Sequence, residues 1–292
     1  MTKKMTPQIP SRASLIAYSL SAMVLAGMMF ASHPVRAQAL NFGASGDNPV
    51  EVFADNGIEW QQDQLVFVAR GNARAVRSDV TVYADELRAY YREKKEGGTD
   101  IWRLDAIGKV RIKSPDSTTY GQHAVYNIDQ AVLVVTGGKV RMVTKSDTIT
   151  AERQLEYWEN KQMAVARGNA TAQRAEKHLK ADVLAAYFKK DKKGKSSLHR
   201  VEAFNNVKVI TAKDRAESNR GVYNVKSGIA TLEGSVNIFR GGNVLNGCSA
   251  DVNLNTGISH LKSCRLPGGG GKTRVRGVLL PGSQKGKAKK NK

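Results

Sequence analysis

The sequence predicts an all-β protein, built as an elongated antiparallel array of short strands. Apolar and polar residues alternate from about residue 50 to residue 264, as in Val110-Arg111-Ile112 and Val140-Arg141-Met142. This period of two is typical of strands with one buried face. Turn signals separate the alternating segments, and no long Pro/Gly-rich linker divides them. Short strands without intervening helices favour a sandwich, a jelly roll or a β-solenoid over a parallel α/β fold.

The chain is internally duplicated with an offset of 97 residues. The heptad Ala69-Arg-Gly-Asn-Ala-Arg-Ala75 returns as Ala166-Arg-Gly-Asn-Ala-Thr-Ala172. Shorter units start their apolar strands after Gly71, Gly108, Gly137, Gly168, Asn205 and Gly234. A unit of about thirty residues cannot bury an apolar face alone, so neighbouring units must stack. We expect about 12–14 strands in the array. They are divided between a first half of about 47–145 and a second half of about 146–264.

Residues 1–39 have the pattern of a signal peptide. Basic residues at the start precede the mostly apolar stretch Leu15–Phe30, and Ala37-Gln38-Ala39 fits a small-x-small cleavage site. We expect cleavage after Ala39 and export of the mature protein, whose formal charge would fall from +20 to +16. The apolar stretch is shorter than the roughly twenty residues that span a membrane, although an uncleaved anchor is the alternative.

Residues 265–292 form a Gly-rich, basic tail. Eight basic residues and no acidic residue occur from Lys272 to Lys292. Such a segment cannot bury apolar surface, and we expect it to be disordered. It is either a solubilising tail or a contact for an anionic partner. Export favours phosphate-bearing lipid headgroups over nucleic acid as that partner, so we expect no nucleic acid to bind.

The two cysteines, Cys248 and Cys264, flank a predicted hairpin. The three-residue loop Asn255-Thr256-Gly257 is centred on residue 256, and each cysteine lies eight residues from it. A simple register therefore places them opposite each other, and an oxidising compartment would favour a disulfide. A bulge would break this register, and two unlinked small apolar residues are the alternative.

Catalytic chemistry is not indicated. His123, His178, His199 and His260 are scattered without ligand spacing, and no His–Asp arrangement accompanies either cysteine. The Gly-rich run before Lys272-Thr273 resembles a phosphate loop, but Leu266 stands where that loop needs Gly. We expect neither an enzyme nor a bound metal or cofactor.

The repeated strands resemble a known family. Segments of the form Ala-Asp-x-Leu-x-Ala-Tyr, at Ala84–Tyr90 and Ala181–Tyr187, are similar to the OstA-like fold and to the periplasmic lipopolysaccharide transport protein A (LptA) family. The resemblance covers about residues 47–255. The tail, the cysteines and the long charged loops at 92–98 and 189–194 depart from the family pattern.

This resemblance implies a twisted β-jelly roll, solenoid-like and open at both ends, that holds the acyl chains of lipid A in an apolar groove. Family members lie in the periplasm and join head to tail. They bind lipopolysaccharide and bridge an inner-membrane transport protein C-like domain of the extraction complex to the transport protein D-like N-terminal domain of the outer-membrane assembly complex.

The groove lining is predicted from the apolar positions of the alternating strands. For any one of them, a closed core is as good an explanation as a groove. Arg111, Arg141 and Lys208, which alternate with them, are expected to face solvent, with a phosphate contact at the groove mouth as the lesser alternative. The predicted lining residues are Val110, Ile112, Ala124, Tyr126, Leu133, Val135, Val140, Met142, Leu155, Tyr157, Val207, Val209, Tyr223 and Ile238.

Three functions therefore compete. The first is a periplasmic lipid-transport bridge. The second is a membrane-anchored, transport protein C-like relative with an uncleaved N-terminal helix, or an isolated domain of the outer-membrane component. The third is a periplasmic β array that binds a polyanion or a carbohydrate, which the basic tail suggests.

Overall fold

The computed structural model describes residues 50–94, 97–192, 196–212, 214–240, 242–256, 258–264 and 274–278. All of them belong to one compact unit, His33–Lys292. Their regular structure is entirely β, and none of them forms a helix that could cross a membrane. The strands are β1 (Glu51–Phe53), β2 (Ile58–Gln61), β3 (Val66–Arg77), β4 (Val80–Glu93), β5 (Thr99–Lys113), β6 (Ser117–Asn127), β7 (Val132–Thr136), β8 (Val140–Thr144), β9 (Thr148–Ala151), β10 (Gln154–Trp158), β11 (Met163–Arg174), β12 (Lys177–Lys190), β13 (Ser196–Ile210), β14 (Asp214–Asn224), β15 (Ile229–Arg240), β16 (Asn243–Asn253), β17 (Ser259–Lys262) and β18 (Arg276–Val278).

The strands pair antiparallel in chain order, which confirms the predicted array. Each successive level of the stacked array is called a rung, and most rungs are a single long strand. Four rungs consist instead of two short strands that pair with the same neighbouring strand. β1 and β2 both pair with β3, β7 and β8 with β6, β9 and β10 with β11, and β17 and β18 with β16. The eighteen segments therefore make fourteen rungs. Because β7 pairs with β10 and β8 with β9, both halves of the duplication form one continuous sheet.

The six glycine and asparagine positions that we expected before strands are corners instead. At each, two successive residues have positive φ, such as Gly71 (79°) with Asn72 (43°), and Asn205 (59°) with Asn206 (49°). Five of the six lie inside a long strand, where the pairing register shifts by one residue. The prediction of a strand start was wrong at these five, because such a bulge bends a strand without ending it.

The corners divide the sheet into two walls. The first wall contains β2, β7, β10 and β17, and the second wall contains β1, β8, β9 and β18. The long strands cross from one wall to the other at their corner. Each long strand therefore contributes inward-facing residues to both walls.

The core lies where the walls meet along the line of corners. On the second wall, Val110, Val140 and Val236 are at most 1% exposed, and on the first wall Val135 is equally buried. A Cβ on Gly121 would lie 2.5 Å from Cγ1 of Val135, so the walls are in close contact here. Full burial of one valine side chain is worth about 1.5–3 kcal/mol. One core cluster runs through both halves, and a smaller one lies near the C-terminal end.

Three residues of the predicted disordered tail form a strand. β18 pairs with Val244, Leu245 and Asn246 in the second-wall half of β16. β17 covers only the first-wall half of β16, so the backbone groups of the other half remain available to a later segment. Most of the tail and the predicted signal peptide lie outside the described residues.

Candidate functional site

An open cavity of about 530 Å³ lies between the two walls in the first half of the array. This volume is in the range of small-molecule binding sites. Val50 and Ile58 in its lining are 45% and 54% exposed, so the cavity opens towards the end formed by β1 and β2. The apolar lining residues are Val50, Val52, Ile58, Phe67, Ala69, Ala75, Val80, Val82, Leu87, Ala89, Ile101, Leu104, Ala106, Ile112, Ala124, Tyr126, Ile128 and Leu133.

Both walls supply this lining because of strand alternation. On the second wall, Val82 pairs with Ala75 and Ile112. On the first wall, Leu104 pairs with Tyr126. Paired residues of neighbouring strands point to the same face, so each wall presents columns of apolar side chains to the space between them.

Four of the fourteen predicted groove residues, Ile112, Ala124, Tyr126 and Leu133, line this cavity. The other ten do not. Val110, Val135, Val140 and Val207 are packed in the main core, with Leu155 and Tyr157 against it, and Ile238 lies in the smaller core cluster. Met142, Val209 and Tyr223 are half-buried.

For the three valines that adjoin a corner, the small distance from the corner accounts for the difference. Val110, Val140 and Val207 immediately follow corners, where the walls touch and leave no space for a ligand. Ile112 is two residues further from the corner, where the walls have separated. Alternation shows which face is inward, but it does not show how far apart the two inward faces lie.

The prediction missed most of the cavity lining at the N-terminal end. Phe67, Val82, Leu87 and Leu104 follow the same alternation as the predicted residues, and this signal could have identified them. Val50, Val52 and Ile58 at the open end also alternate with polar residues, in Val50-Glu51-Val52 and Ile58-Glu59-Trp60. Among the described residues, β1 and β2 pair only with β3, so no strand covers this end.

Tyr126, which lines the cavity, carries no charge at physiological pH. Burial, with the negative charge of Glu159 as the next cause, raises the pKa of Tyr126, and the same two causes raise the pKa of Tyr157, which packs against the core outside the cavity, to about 12. The charged residues that border the cavity are Arg77, Arg88, Asp100 and Asp105. Of these, Arg88 and Asp105 alternate with Leu87 and Leu104, so their side chains point to the outer side of the first wall. The site therefore combines an apolar interior with charged groups, which suits an amphipathic ligand. Within the described ranges, no group of His, Cys, Asp or Glu side chains could hold a metal ion.

Cys248 and Cys264 form a disulfide, with Cα atoms 5.0 Å apart. The predicted register was wrong by one residue. Ser249 pairs with Lys262, and the backbone N–H of Asn253 donates to the carbonyl of Ile258 (2.9 Å), so Asn253 lies opposite Ile258. This register alone would place Ser263 opposite Cys248. Cys248 lies at a corner, where β15 and β16 shift register by one residue. One further extra residue, on the β17 side, would bring Cys264 to Cys248 in place of Ser263.

Comparison with known proteins agrees with this architecture. The family model described as "LptA/(LptD N-terminal domain) LPS transport protein" matches residues 51–154 and 148–258. The two matches begin 97 residues apart, at the offset of the internal repeat. The fold and its duplication thus define a β-structured protein of the lipopolysaccharide (LPS) transport class. The chain belongs to the LptA/LptD N-terminal domain family, which confirms the resemblance.

Two individual proteins are also similar. An uncharacterized protein of Rhizobium meliloti (strain 1021) is 26% identical over 133 residues, which are 44% of this chain and 70% of that protein. The crystal structure of LptH is 20% identical, with a TM-score of 0.35, over 41% of this chain and 83% of that one. LptH is described as the LptA-homologous periplasmic component of the conserved LPS transport device of Pseudomonas aeruginosa.

Proposed function

We propose that this protein binds lipopolysaccharide in the periplasm and holds lipid A acyl chains in the cavity between its walls. The observation that supports this most directly is the open, apolar cavity at the β1/β2 end of a chain from an LPS transport family. Exposing an acyl chain to water costs about 0.8 kcal/mol per methylene, and an apolar cavity offsets this cost while the chain is outside a membrane.

The protein would act as a bridge between the inner-membrane extraction complex and the outer-membrane assembly complex. Within the described residues, β1 and β2 pair with β3 alone, so their outer backbone groups are available to another sheet. Phe53 and Trp60 on these strands are 45% and 57% exposed, which adds apolar surface for docking. The occupants proposed for the two ends of the array are a second copy joined head to tail, the C-like domain and the D-like N-terminal domain.

A membrane-anchored, C-like relative is the second candidate. It rests on Leu15–Phe30 remaining uncleaved, and this stretch lies outside the described residues. The N-terminal residue of the protein purified from the periplasm distinguishes the two. A sequence that begins at residue 40 supports the soluble bridge, and one that retains residues 15–30 supports the anchored form.

Photocrosslinking tests the binding site. A photoreactive residue at Ile112, Phe67 or Leu104 should form adducts with lipopolysaccharide, because these side chains line the cavity. Two controls are available, Val236 in the closed core (0% exposed) and the exposed Lys226 in the turn before β15. Adducts at the cavity positions and at neither control support the proposal. Equal labelling at Lys226, or labelling nowhere in a folded protein, would contradict it.

A further inference from the structure

The outer side of the second wall has a column of alternating aromatic and arginine side chains. Six residues of six successive strands are paired in register, from β1 to β8. With strands about 4.8 Å apart, the arginines recur about every 10 Å. The column consists of Phe53, Arg74, Tyr83, Arg111, Tyr120 and Arg141.

Strand alternation places this column on the outside. Arg111 lies between Val110 and Ile112, which are 1% and 2% exposed. Arg141 likewise follows Val140, which is 0% exposed. Neighbours in a strand point to opposite faces, so the arginines point away from the core. Both Arg111 and Arg141 are exposed.

Each arginine lies over an aromatic ring. The guanidinium carbon is 4.2 Å from the ring centroid in Arg74–Phe53, 4.1 Å in Arg111–Tyr83 and 4.6 Å in Arg141–Tyr120. Stacking leaves the edge N–H groups of a guanidinium free to bind an anion. The rings therefore hold the cations in place without neutralising their charge.

The first wall is different, because its arginines are paired with acids. Arg167 contacts Glu156 (2.5 Å), and Arg103 contacts Asp105 (2.6 Å). Among the described residues, no carboxylate pairs with Arg74, Arg111 or Arg141. Both walls therefore have arginines on their outer sides. Within the described ranges, the column arginines of the second wall lack a carboxylate partner from β3 to β8, whereas later strands of the same wall have pairs such as Arg174 with Asp147 and Lys208 with Glu217.

Further cations extend this surface. Lys113 on β5 and Lys180 on β12 are exposed on the same side of the second wall. Uncompensated cations attract an anionic partner to this surface and repel the same surface of a second copy of the chain. Arginine binds phosphate oxygens through two N–H groups, and tyrosine favours the level of lipid headgroups.

We propose that the second wall lies with this column on an anionic membrane surface and binds the phosphates of phospholipid headgroups. The proposal does not depend on the cavity, which is on the opposite face of the same strands. Each basic residue near an anionic leaflet contributes about 1 kcal/mol, which makes three arginines worth about a hundredfold in binding.

Vesicle flotation of the full mature chain tests the proposal. Vesicles of phosphatidylcholine with phosphatidylglycerol should bind the protein, and pure phosphatidylcholine vesicles should not. The triple variant R74Q/R111Q/R141Q should bind the anionic vesicles about a hundredfold more weakly. The matched control K190Q/K192Q/K226Q removes three exposed charges elsewhere and should change binding far less. Circular dichroism and thermal unfolding establish that both variants are folded.

Three results would overturn the proposal. Equal losses in both triple variants would mean that net charge, including that of the tail, drives binding. Unchanged binding of R74Q/R111Q/R141Q would exclude the column. If heparin, an acidic polysaccharide, bound in a column-dependent way while vesicles did not, the partner would be a saccharide. Lipopolysaccharide crosslinking in the cavity should be the same in the triple variant, so this proposal and the proposed function fail separately.

Discussion

The residues at the corners have a conformation that few side chains adopt. Asparagine tolerates the left-handed region because its short amide can hydrogen-bond locally. Here the amides bond across the sheet: Asn206 (φ 49°) donates to both carboxylate oxygens of Asp182 (3.1 and 3.0 Å), and Asn72 (φ 43°) donates to Asp55 (2.7 Å). These bonds join neighbouring rungs, so the same residues that bend each strand also tie the bends together.

Two interior glycines allow a matched test of packing. A Cβ on Gly121 would lie 2.5 Å from Val135 and 3.0 Å from the carbonyl of Thr136, whereas one on Gly221 would have its nearest neighbour at 3.4 Å. We expect G121A to lower the free energy of unfolding by about 1–3 kcal/mol through overpacking, and G221A to leave it within about 1 kcal/mol of the wild type. Urea unfolding measures both. Equal effects of the two substitutions on the free energy of unfolding would show that the walls are not in close contact at the line of corners.

A buried ion pair on the first wall provides a second test. The Glu156 side chain is 5% exposed and accepts hydrogen bonds from Arg167 (2.5 Å), Trp158 (2.8 Å) and Gln154 (2.7 Å). We expect R167M to cost about 2 kcal/mol of unfolding free energy, because a buried carboxylate loses its cation. K109M removes the more exposed pair with Asp85 and should cost less than about 1 kcal/mol. A cost for K109M as large as that for R167M would contradict this.

The same pair predicts a pH dependence. Burial alone would raise the pKa of Glu156, but the hydrogen bonds from Arg167, Trp158 and Gln154 outweigh burial and hold the pKa below its ordinary value of 4.5. A carboxylate with a lowered pKa stabilises the fold above its unfolded pKa and loses this effect as pH falls through the folded value. Wild-type stability should therefore fall below about pH 4.5. Urea unfolding at several pH values should show a smaller fall for R167M.

At the scale of elements, the last rung is held differently from the others. Cys248 occupies the corner position of β16, opposite the Gly234 corner of β15. In earlier rungs the corresponding positions are polar, such as Asp85 and Asn219, and they lie close to the glycine of the neighbouring corner. The disulfide therefore stands at the end of this line of corner contacts, where no further long strand follows among the described residues.

Removal of the disulfide should loosen the C-terminal end first. The cysteines are 16 residues apart, and closing a loop of that size is worth about 3 kcal/mol. We expect C248S/C264S to lose about this much stability, with faster hydrogen exchange in β16 and β17 and little change in β12 and β13. Chemical reduction of the disulfide in the wild type should give the same loss of stability and the same hydrogen-exchange pattern as C248S/C264S. Uniformly faster exchange along the whole array would contradict a local role.

At the scale of the molecule, the two halves share a pattern but differ in surroundings. All residues that line the described cavity come from the first half, between Val50 and Leu133. Their counterparts 97 residues later, such as Tyr223 for Tyr126 and Val209 for Ile112, are half-buried inside the continuous sheet. The short strands β1 and β2 form the outer end of the first half. The second half begins at the junction inside the sheet, where β7 and β8 pair with β10 and β9. The described cavity lies at the β1/β2 end of the array, within the first half.

The duplication supplies a matched pair for ligand binding. Ala89 lines the cavity, and Ala186 is its equivalent 97 residues later, outside this cavity. We expect A89F to reduce lipopolysaccharide binding about tenfold by filling the cavity, and A186F to change it little. Fluorescence titration with labelled lipopolysaccharide measures both, after thermal unfolding shows that each variant is folded. Equal losses would mean that the lipid also occupies the second half.

The sequence by itself determined the all-β class, the 97-residue duplication and the face on which Val110, Ile112 and Tyr126 lie. These properties follow from local alternation and from self-similarity, which need no knowledge of distant contacts. Tertiary structure alone decided that Gly71 and Gly108 bend strands rather than precede them. It also decided that Val110 packs at the line of corners, where the walls touch, while Ile112 lines the cavity. Both outcomes depend on how far apart two walls of the folded sheet stand, and that distance is set by corners and pairing across many strands.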